Sequence, residues 1–115
     1  MAESTDRLLP LRPADFHILV ALLREDLHGY RIMQRVSADS EGQVELELGS
    51  LYRLIARLHD VGLIAPVRSR KAGDDPRRRY YRITPLGREV AASEARRLAS
   101  VVRLARTHRL LEGTT

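Results

Sequence analysis

Basic side chains are concentrated in one short stretch of this chain, residues 68–82. Of the 20 lysines and arginines and 15 acids in the sequence, seven bases and two acids lie there, which leaves 13 of each sign elsewhere. The whole formal charge of +5 therefore comes from this stretch. A localised excess of guanidinium groups indicates a polyanionic partner, because these groups bind phosphate oxygens. The bases expected to bind phosphate are Arg68, Arg70, Lys71, Arg77, Arg78 and Arg79.

The sequence contains no pattern of side chains that is typical of a catalytic or metal site. There is no cysteine, which removes thiolate catalysis and cysteine-ligated zinc, and the histidines at 17, 28, 59 and 108 have no metal-ligand spacing. The stretch "LGSLY" lacks the second glycine of a nucleophile elbow, and no glycine-rich phosphate loop is present. We therefore predict a protein that is not an enzyme and that uses no metal or cofactor.

The basic stretch is predicted to form a β-hairpin. "LIAPVRSR" and "RRRYYRIT" are typical of two strands, "KAGDDP" supplies turn residues between them, and Pro66 favours an edge strand for the first arm. Alternation along the second arm predicts that Tyr81 and Ile83 face the core and that Tyr80 is exposed.

Three short helices precede the hairpin. The first begins at Pro13, with Asp15 placed favourably against the helix dipole, and the second carries Tyr30 on its apolar side. The third spans residues 50–61 and ends at Gly62, which takes the left-handed conformation while Leu63 packs back on the helix. Its exposed polar side chains are Ser50, Tyr52, Arg53 and Arg57.

A long helix follows Thr84 and Pro85, which serve as N-cap and first helical residue. Its apolar surface is too wide for a solvated helix and predicts a second helix as its partner. We expect a dimer interface there, with help from the first helix. Its residues are Ala91, Ala95, Leu98, Val101, Val102 and Ala105.

These elements predict a mainly α fold with a small β-hairpin, a winged helix-turn-helix followed by a long C-terminal dimerisation helix. Residues 1–10 form a flexible tail, 11–84 the DNA-binding domain and 85–112 the dimerisation helix. In this arrangement Arg53 and Arg57 can reach base edges, while Ser50 and Tyr52 fix the third helix on phosphates. Two alternatives stay open: Arg57 can pair with Asp60 three residues on, and Tyr30 can bind phosphate or pack in the core.

Four sequence stretches in order over residues 17–90 resemble the PadR family of transcriptional regulators. They are "HGY" at 28–30, "GSLY" at 49–52, "DVGLI" at 60–64 and "RYYRIT" at 79–84. The short C-terminus is similar to the small subfamily, in which one helix forms the dimer. The resemblance implies a homodimeric repressor that binds double-stranded DNA and is released by a small hydrophobic effector, here in an aliphatic pocket that includes Leu98 and Val102.

The chain departs from the family pattern just before the third helix. The family commonly has a small hydroxyl residue and then proline at the positions of Glu47 and Leu48. Losing this N-cap and first-turn proline costs on the order of 1 kcal/mol. The start of the third helix is therefore less well specified than its end.

The predicted function is sequence-specific binding of a pseudo-palindromic operator whose half-sites lie about one helical turn apart. No apolar run approaches the roughly 20 residues of a membrane span, and we expect a cytoplasmic protein without a membrane partner. The alternative is a protein-interaction module whose basic hairpin docks an acidic protein. An RNA-binding protein fits less well because it would need aromatic stacking platforms.

Overall fold

The computed structural model describes residues 7–68 and 77–111, and this part of the chain contains four helices and three short strands. Within the basic stretch, Arg70 and Lys71 lie outside the described residues, as does most of the predicted N-terminal tail. In chain order the elements are α1 (Pro13–Ala21), β1 (Leu27–His28), α2 (Gly29–Asp39), α3 (Leu48–Asp60), β2 (Ile64–Val67), β3 (Tyr80–Ile83) and α4 (Pro85–Thr107).

The end of α3 has the geometry that the sequence predicts. Gly62 adopts a φ of 84°, and its N–H donates to the carbonyl of His59 at 3.0 Å. The N–H of Leu63 donates to the carbonyl of Leu58 at 2.9 Å, and both leucine side chains are buried in the core. This pair of hydrogen bonds defines a Schellman cap. It turns the chain sharply into β2.

The start of α4 also agrees with the sequence. The Thr84 hydroxyl accepts a hydrogen bond from the N–H of Gly87 at 3.0 Å and donates to the carbonyl of Gly62 at 2.6 Å. The N–H of Thr84 donates to the carbonyl of Leu63 at 3.0 Å. Thr84 therefore caps α4 and joins it to the loop that ends α3.

Packing requires glycine at residue 87. A Cβ on this residue would lie 2.2 Å from the carbonyl oxygen of Leu63 and 2.7 Å from Cγ1 of Ile83. Both distances are far below van der Waals contact, so the first turn of α4 lies directly against the loop after α3. Only glycine fits there.

The three strands form an antiparallel sheet in the order β1-β3-β2. The hairpin pairs Ile64 with Ile83 and Val67 with Tyr80, as expected for two arms of a wing. The two-residue strand β1 was not predicted, and it pairs His28 with Tyr80 on the other side of β3.

This extra strand makes the prediction of an exposed Tyr80 wrong. Tyr80 and Tyr81 are each only 7% exposed. Tyr81 joins the core as predicted, whereas the ring of Tyr80 packs in a T-shaped contact with the His28 ring, with centroids 5.3 Å apart. Because β3 is the central strand, β1 and β2 pair with both of its edges, and Tyr80 and Tyr81 are buried on opposite faces.

The core is built from aliphatic side chains of every helix and the sheet. On α2 the buried residues are Gly29, Ile32 and Val36, whereas Tyr30 is 51% exposed. Packing of Tyr30 in the core is therefore excluded. The largest fully buried aliphatic side chains are Ile18, Leu19, Leu22, Ile32, Leu51, Leu58, Leu63, Ile64, Val36 and Val90.

Helix α4 is part of the core at its beginning and projects from it afterwards. Gly87, Val90, Ala91 and Glu94 are buried, and along the described chain after Glu94 no residue is. Ala91 is 5% exposed and belongs to the core cluster of its own chain. Its assignment to a dimer interface is therefore wrong, because its side chain is already covered.

The other predicted interface residues of α4 lie on the projecting part. Leu98, Val101 and Val102 are 37%, 49% and 37% exposed, Ala95 is exposed and Ala105 is half-buried. Leu104, Leu110 and Leu111 add further exposed apolar surface. None of the described helices is both long and apolar enough to cross a membrane.

Candidate nucleic-acid interface

The N-terminal turns of α2 and α3 and the second arm of the hairpin meet at one cleft of about 410 Å³. It brings together five residues that the sequence predicts as DNA contacts and that are distant in the chain. These are Tyr30, Tyr52, Arg77, Arg78 and Arg79, all exposed, and the cleft is completed by His28, Gly29 and Leu48.

Helix α3 begins without a side-chain cap. It starts at Leu48, and the side chain of the N-cap residue Glu47 makes no capping hydrogen bond. Leu48 is 54% exposed, and Gly49 beside it has nothing within 4 Å of the position a Cβ would take. The departure of Glu47 and Leu48 from the family pattern thus removes the cap but leaves the helix in place. The start of α3 is an open surface.

Ser50 and Arg53 are joined on the exposed side of α3. The Arg53 guanidinium donates to the Ser50 hydroxyl at 3.2 Å, one turn back toward the N-terminus. This hydrogen bond directs the Arg53 side chain toward the start of the helix. Arg53 therefore lies where an arginine could approach a base edge or a phosphate.

Tyr52 is held against the start of α2. A Cβ on Gly29 would lie 2.8 Å from the Tyr52 hydroxyl, so the absence of a side chain at residue 29 makes room for this phenol. Tyr52 remains 49% exposed, next to the equally exposed Tyr30. Two exposed tyrosines thus line the cleft at the N-terminus of α2, where the helix dipole favours anions.

His28 connects the hairpin to α2 and was not predicted as a site residue. Its Nδ1 accepts a hydrogen bond from the N–H of Arg31 at 3.3 Å, which caps α2. Nη1 of Arg78 lies 3.2 Å from Nδ1 and 3.0 Å from Nε2 of the same ring. Both ring nitrogens of His28 therefore lie within hydrogen-bonding distance of the Arg78 guanidinium, which can only donate. The "HGY" motif gave no sign of this contact, since Arg78 is 50 residues away.

Arg79 on the hairpin borders two clefts. It lines the main cleft and also a second one, formed with Tyr52, Ala56, His59 and Tyr81 between α3 and the sheet. Burial raises the pKa of the Tyr81 phenol above its usual value of 10.0, and the Arg79 guanidinium acts against this rise. Arg79 therefore has a partner within the protein as well as an exposed side chain.

Arg57 does not share the environment of Arg53. Its guanidinium pairs with the carboxylate of Asp15 on α1, which is only 5% exposed. The alternative pair with Asp60 is therefore wrong, and the actual partner is 42 residues away in the chain. With its charge held by Asp15, Arg57 lies apart from the main cleft. The prediction that it contacts DNA is not supported by this placement.

The remaining candidates are less closely grouped. Arg68 is exposed directly after β2, on the hairpin arm opposite to Arg77–Arg79. Arg82 points outward from β3 as an exposed residue between buried neighbours. Over residues 7–68 and 77–111, no three histidine, aspartate or glutamate side chains are arranged to hold a metal ion.

Comparison with known proteins identifies the family. Residues 18–93 match the transcriptional regulator PadR-like family. A protein of uncharacterised function from Lysinibacillus sphaericus is 30% identical over 87 residues, which are 76% of this chain and 79% of that protein.

Two solved structures share the fold. A transcriptional regulator from Clostridium thermocellum is 26% identical with a TM-score of 0.68, and the match covers 82% of this chain and 87% of that one. Bacillus subtilis PadR, solved in complex with operator DNA, is 20% identical with a TM-score of 0.60 over 73% of this chain and 47% of that one. Members of the matched family are transcriptional regulators and not enzymes. This chain belongs to the PadR-like family of transcriptional regulators, and the basic cleft is its candidate DNA-binding surface.

Proposed function

We propose that this protein is a homodimeric repressor that binds a pseudo-palindromic operator with α3 in the major groove and the hairpin on the flanking backbone. The observation that carries the proposal is the single cleft that joins Tyr30, Tyr52 and Arg77–Arg79 beside the start of α3. A duplex presents phosphates on both sides of a groove, and this surface places cations and hydroxyls on both sides of a helix N-terminus. The operator complex of Bacillus subtilis PadR supports the same use of the fold.

The proposed roles differ between the two parts of the surface. Arg53 reads a base edge, whereas Ser50, Tyr52 and Tyr30 fix the helix on phosphates. Arg68 and Arg77–Arg79 neutralise the backbone, and the same role is proposed for Arg70 and Lys71. We leave Arg57 out of this set because its charge is paired with Asp15.

Homodimer formation is proposed through the projecting part of α4. Leu98, Val101 and Val102 are too exposed for a helix that stays monomeric in water, and Ala95 and Ala105 lie at helical spacing beside them. Helix α1 packs against α4, and we propose that it contributes to the interface. Twofold symmetry would then present two α3 helices to successive major grooves.

The experiment that tests DNA binding is selection of bound fragments from random DNA by the purified protein, followed by binding measurements on the selected site. We expect a pseudo-palindrome, and an affinity that falls steeply with salt, by roughly 0.9 logarithmic units per tenfold salt for each neutralised phosphate. An affinity independent of salt, or no enrichment of any sequence, would contradict the proposal.

Two matched arginine substitutions separate base reading from general charge. Arg53→Ala should lower affinity for the selected site about 5- to 150-fold and leave non-specific binding nearly unchanged, as for loss of one bidentate base contact. Arg103→Ala removes the same charge from the projecting helix, where Arg103 is exposed and bonds only to Ser100 among the contacts described. This control should bind like the parent protein. Equal losses at selected and unselected DNA would assign Arg53 to the backbone.

Release by a small hydrophobic effector is the second part of the proposal. It is supported by the exposed aliphatic side chains of Leu98 and Val102, which would line a pocket between two copies of α4. Titration with lipophilic compounds should raise the melting temperature and lower the affinity for the operator together. If no compound changes either quantity, control by a bound effector is refuted while DNA binding stands.

A further inference from the structure

Two buried carboxylates hold the segment that precedes and begins α1. Among the described residues, Asp15 and Glu94 are the charged side chains with the least exposure, 5% and 2%. They act on opposite ends of residues 11–15, which we call the N-terminal strap. A buried charge is costly unless it is paired, so both contacts must have a structural role.

The first contact joins the strap to α4. Oε1 of Glu94 accepts a hydrogen bond from the N–H of Leu11 at 3.3 Å. The same carboxylate accepts two hydrogen bonds from Arg97 one turn further on, Nε to Oε1 at 2.9 Å and Nη2 to Oε2 at 2.8 Å. The Arg97 hydrogen bonds are the main reason that the pKa of Glu94 lies below its usual value of 4.5. Glu94 is therefore a fixed anion at the point where α4 leaves the core.

The second contact joins the strap to α3. Asp15 lies at the other end of the strap and pairs with Arg57 in the second half of α3. Next to this pair a cleft of about 250 Å³ separates Leu11 from Leu58 and Val61 at the end of α3. The ion pair thus bridges a place where apolar packing between strap and helix is incomplete.

Beyond the junction of Thr84 and Gly87 with the loop after α3, the strap adds a second connection between α3 and α4. The main contacts of α4 are with α1 and β3, and those of α3 are with α2 and β2. Within residues 7–68 and 77–111, the two carboxylates provide a polar route from α4 through the strap to α3. In a dimer formed by α4, the position of α3 relative to α4 fixes the distance between the two reading helices.

We propose that the N-terminal strap sets this distance, so that Asp15 and Glu94 are positioning residues for the half-site spacing of the operator. The inference rests on the proposed function, because it needs a dimer that reads two half-sites. Neither residue contacts DNA. They act by holding α3 and α4 in one relative orientation.

The test measures the affinity of the full chain for duplexes that carry the selected half-sites at the preferred spacing and at spacings one base pair shorter and longer. The variants are Asp15→Asn and Glu94→Gln, which keep side-chain size and remove the charge. Asp39→Asn makes the same change of charge on an exposed residue at the end of α2 and serves as the matched control. Circular dichroism and sedimentation confirm that each variant is a folded dimer.

We expect the preference of the parent protein for one spacing to fall about 2- to 30-fold in both strap variants, the range for changes that alter coupling between sites. Asp39→Asn should keep the parental preference. The slope of affinity against salt should be the same for all four proteins, because no phosphate contact is lost. Retention of the parental preference by Asp15→Asn and Glu94→Gln would overturn the inference, as would a parent protein that binds DNA without any spacing preference.

Two further variants serve if the first ones do not fold, and they also test whether Arg57 contacts DNA directly. If Asp15→Asn or Glu94→Gln does not fold, Arg57→Gln breaks the Asp15 pair from its more exposed partner, at 41% side-chain exposure, and Arg97→Gln removes the partner that fixes the Glu94 carboxylate, at 39%. A salt slope reduced by about one unit in Arg57→Gln would show that Arg57 contacts a phosphate, and would overturn the positioning role of its pair. A parent protein that binds no DNA at all would instead refute the proposed function.

Discussion

Replacing Gly87 by alanine tests how closely α4 approaches the loop after α3. The added methyl group would lie 2.2 Å from the carbonyl oxygen of Leu63, more than 1 Å short of ordinary contact. This oxygen accepts the N–H of Thr84 at 3.0 Å, so moving it away also weakens the hydrogen bond that joins the two elements. The clash cannot be relieved by rotating a side chain, because Leu63 meets it with backbone atoms.

The expected cost follows from three contributions. Overpacking at a rigid position costs about 1–3 kcal/mol, and a weakened hydrogen bond about 0.5–1.5 kcal/mol. Alanine regains up to about 1 kcal/mol over glycine inside a helix. We therefore expect Gly87→Ala to lower the free energy of unfolding by about 2–3 kcal/mol.

Gly49→Ala is the matched control because Gly49 is also helical and has nothing within 4 Å of its Cβ position. It should raise the free energy of unfolding, by up to about 1 kcal/mol. Both are measured by urea unfolding at one fixed protein concentration, since formation of the proposed dimer would make stability depend on concentration. If Gly87→Ala were as stable as Gly49→Ala, the close approach of α4 to Leu63 would be refuted.

Three further changes test other contacts. Glu94→Gln should lower the free energy of unfolding by about 1–2 kcal/mol at neutral pH because it weakens a buried charged hydrogen bond. Folding lowers the pKa of Glu94, so this difference in stability is present above the usual pKa of 4.5 and is lost as the pH falls through the lowered pKa. Urea unfolding at several pH values measures it. Thr84→Ala removes the cap of α4 and its bond to Gly62 and should cost about 1–2 kcal/mol in the same assay, whereas Thr84→Ser should restore most of it. Gly29→Ala should displace the Tyr52 hydroxyl, and the flexible tyrosine side chain can move away. We therefore expect the affinity for the operator to fall while the free energy of unfolding changes by less than about 1 kcal/mol. An unchanged affinity would remove Tyr52 from the proposed contacts.

The elements that the sequence predicts correctly are those whose signals are local. The cap at Gly62 and Leu63 depends on residues that are neighbours in the chain, and so does the start of α4 at Thr84 and Pro85. The clustering of basic side chains on a hairpin is local as well. These features could be read because their partners lie within a few positions.

The incorrect predictions involve partners distant in the chain. Tyr80 is buried because β1 pairs with β3 from more than 50 residues upstream and brings the His28 ring against the tyrosine, and alternation within one strand cannot show this contact. Arg57 pairs with Asp15 of α1 rather than with the closer Asp60. Ala91 shares an apolar stripe with Leu98, and only the depth of α4 in the fold separates a core residue from an exposed one.

A change of angle at residue 94 would displace the far end of helix α4. From Glu94 to its end at Thr107 it extends by about 20 Å, at 1.5 Å per residue, beyond the point where Glu94 anchors it. Tilting the helix by about 10° around that anchor would swing its tip by about 3.4 Å, the rise between successive nucleotides of one DNA strand. In the proposed dimer, a small change of angle near residue 94 would therefore displace the second protomer by about one nucleotide step, so stiffness there would matter more than stiffness at the tip.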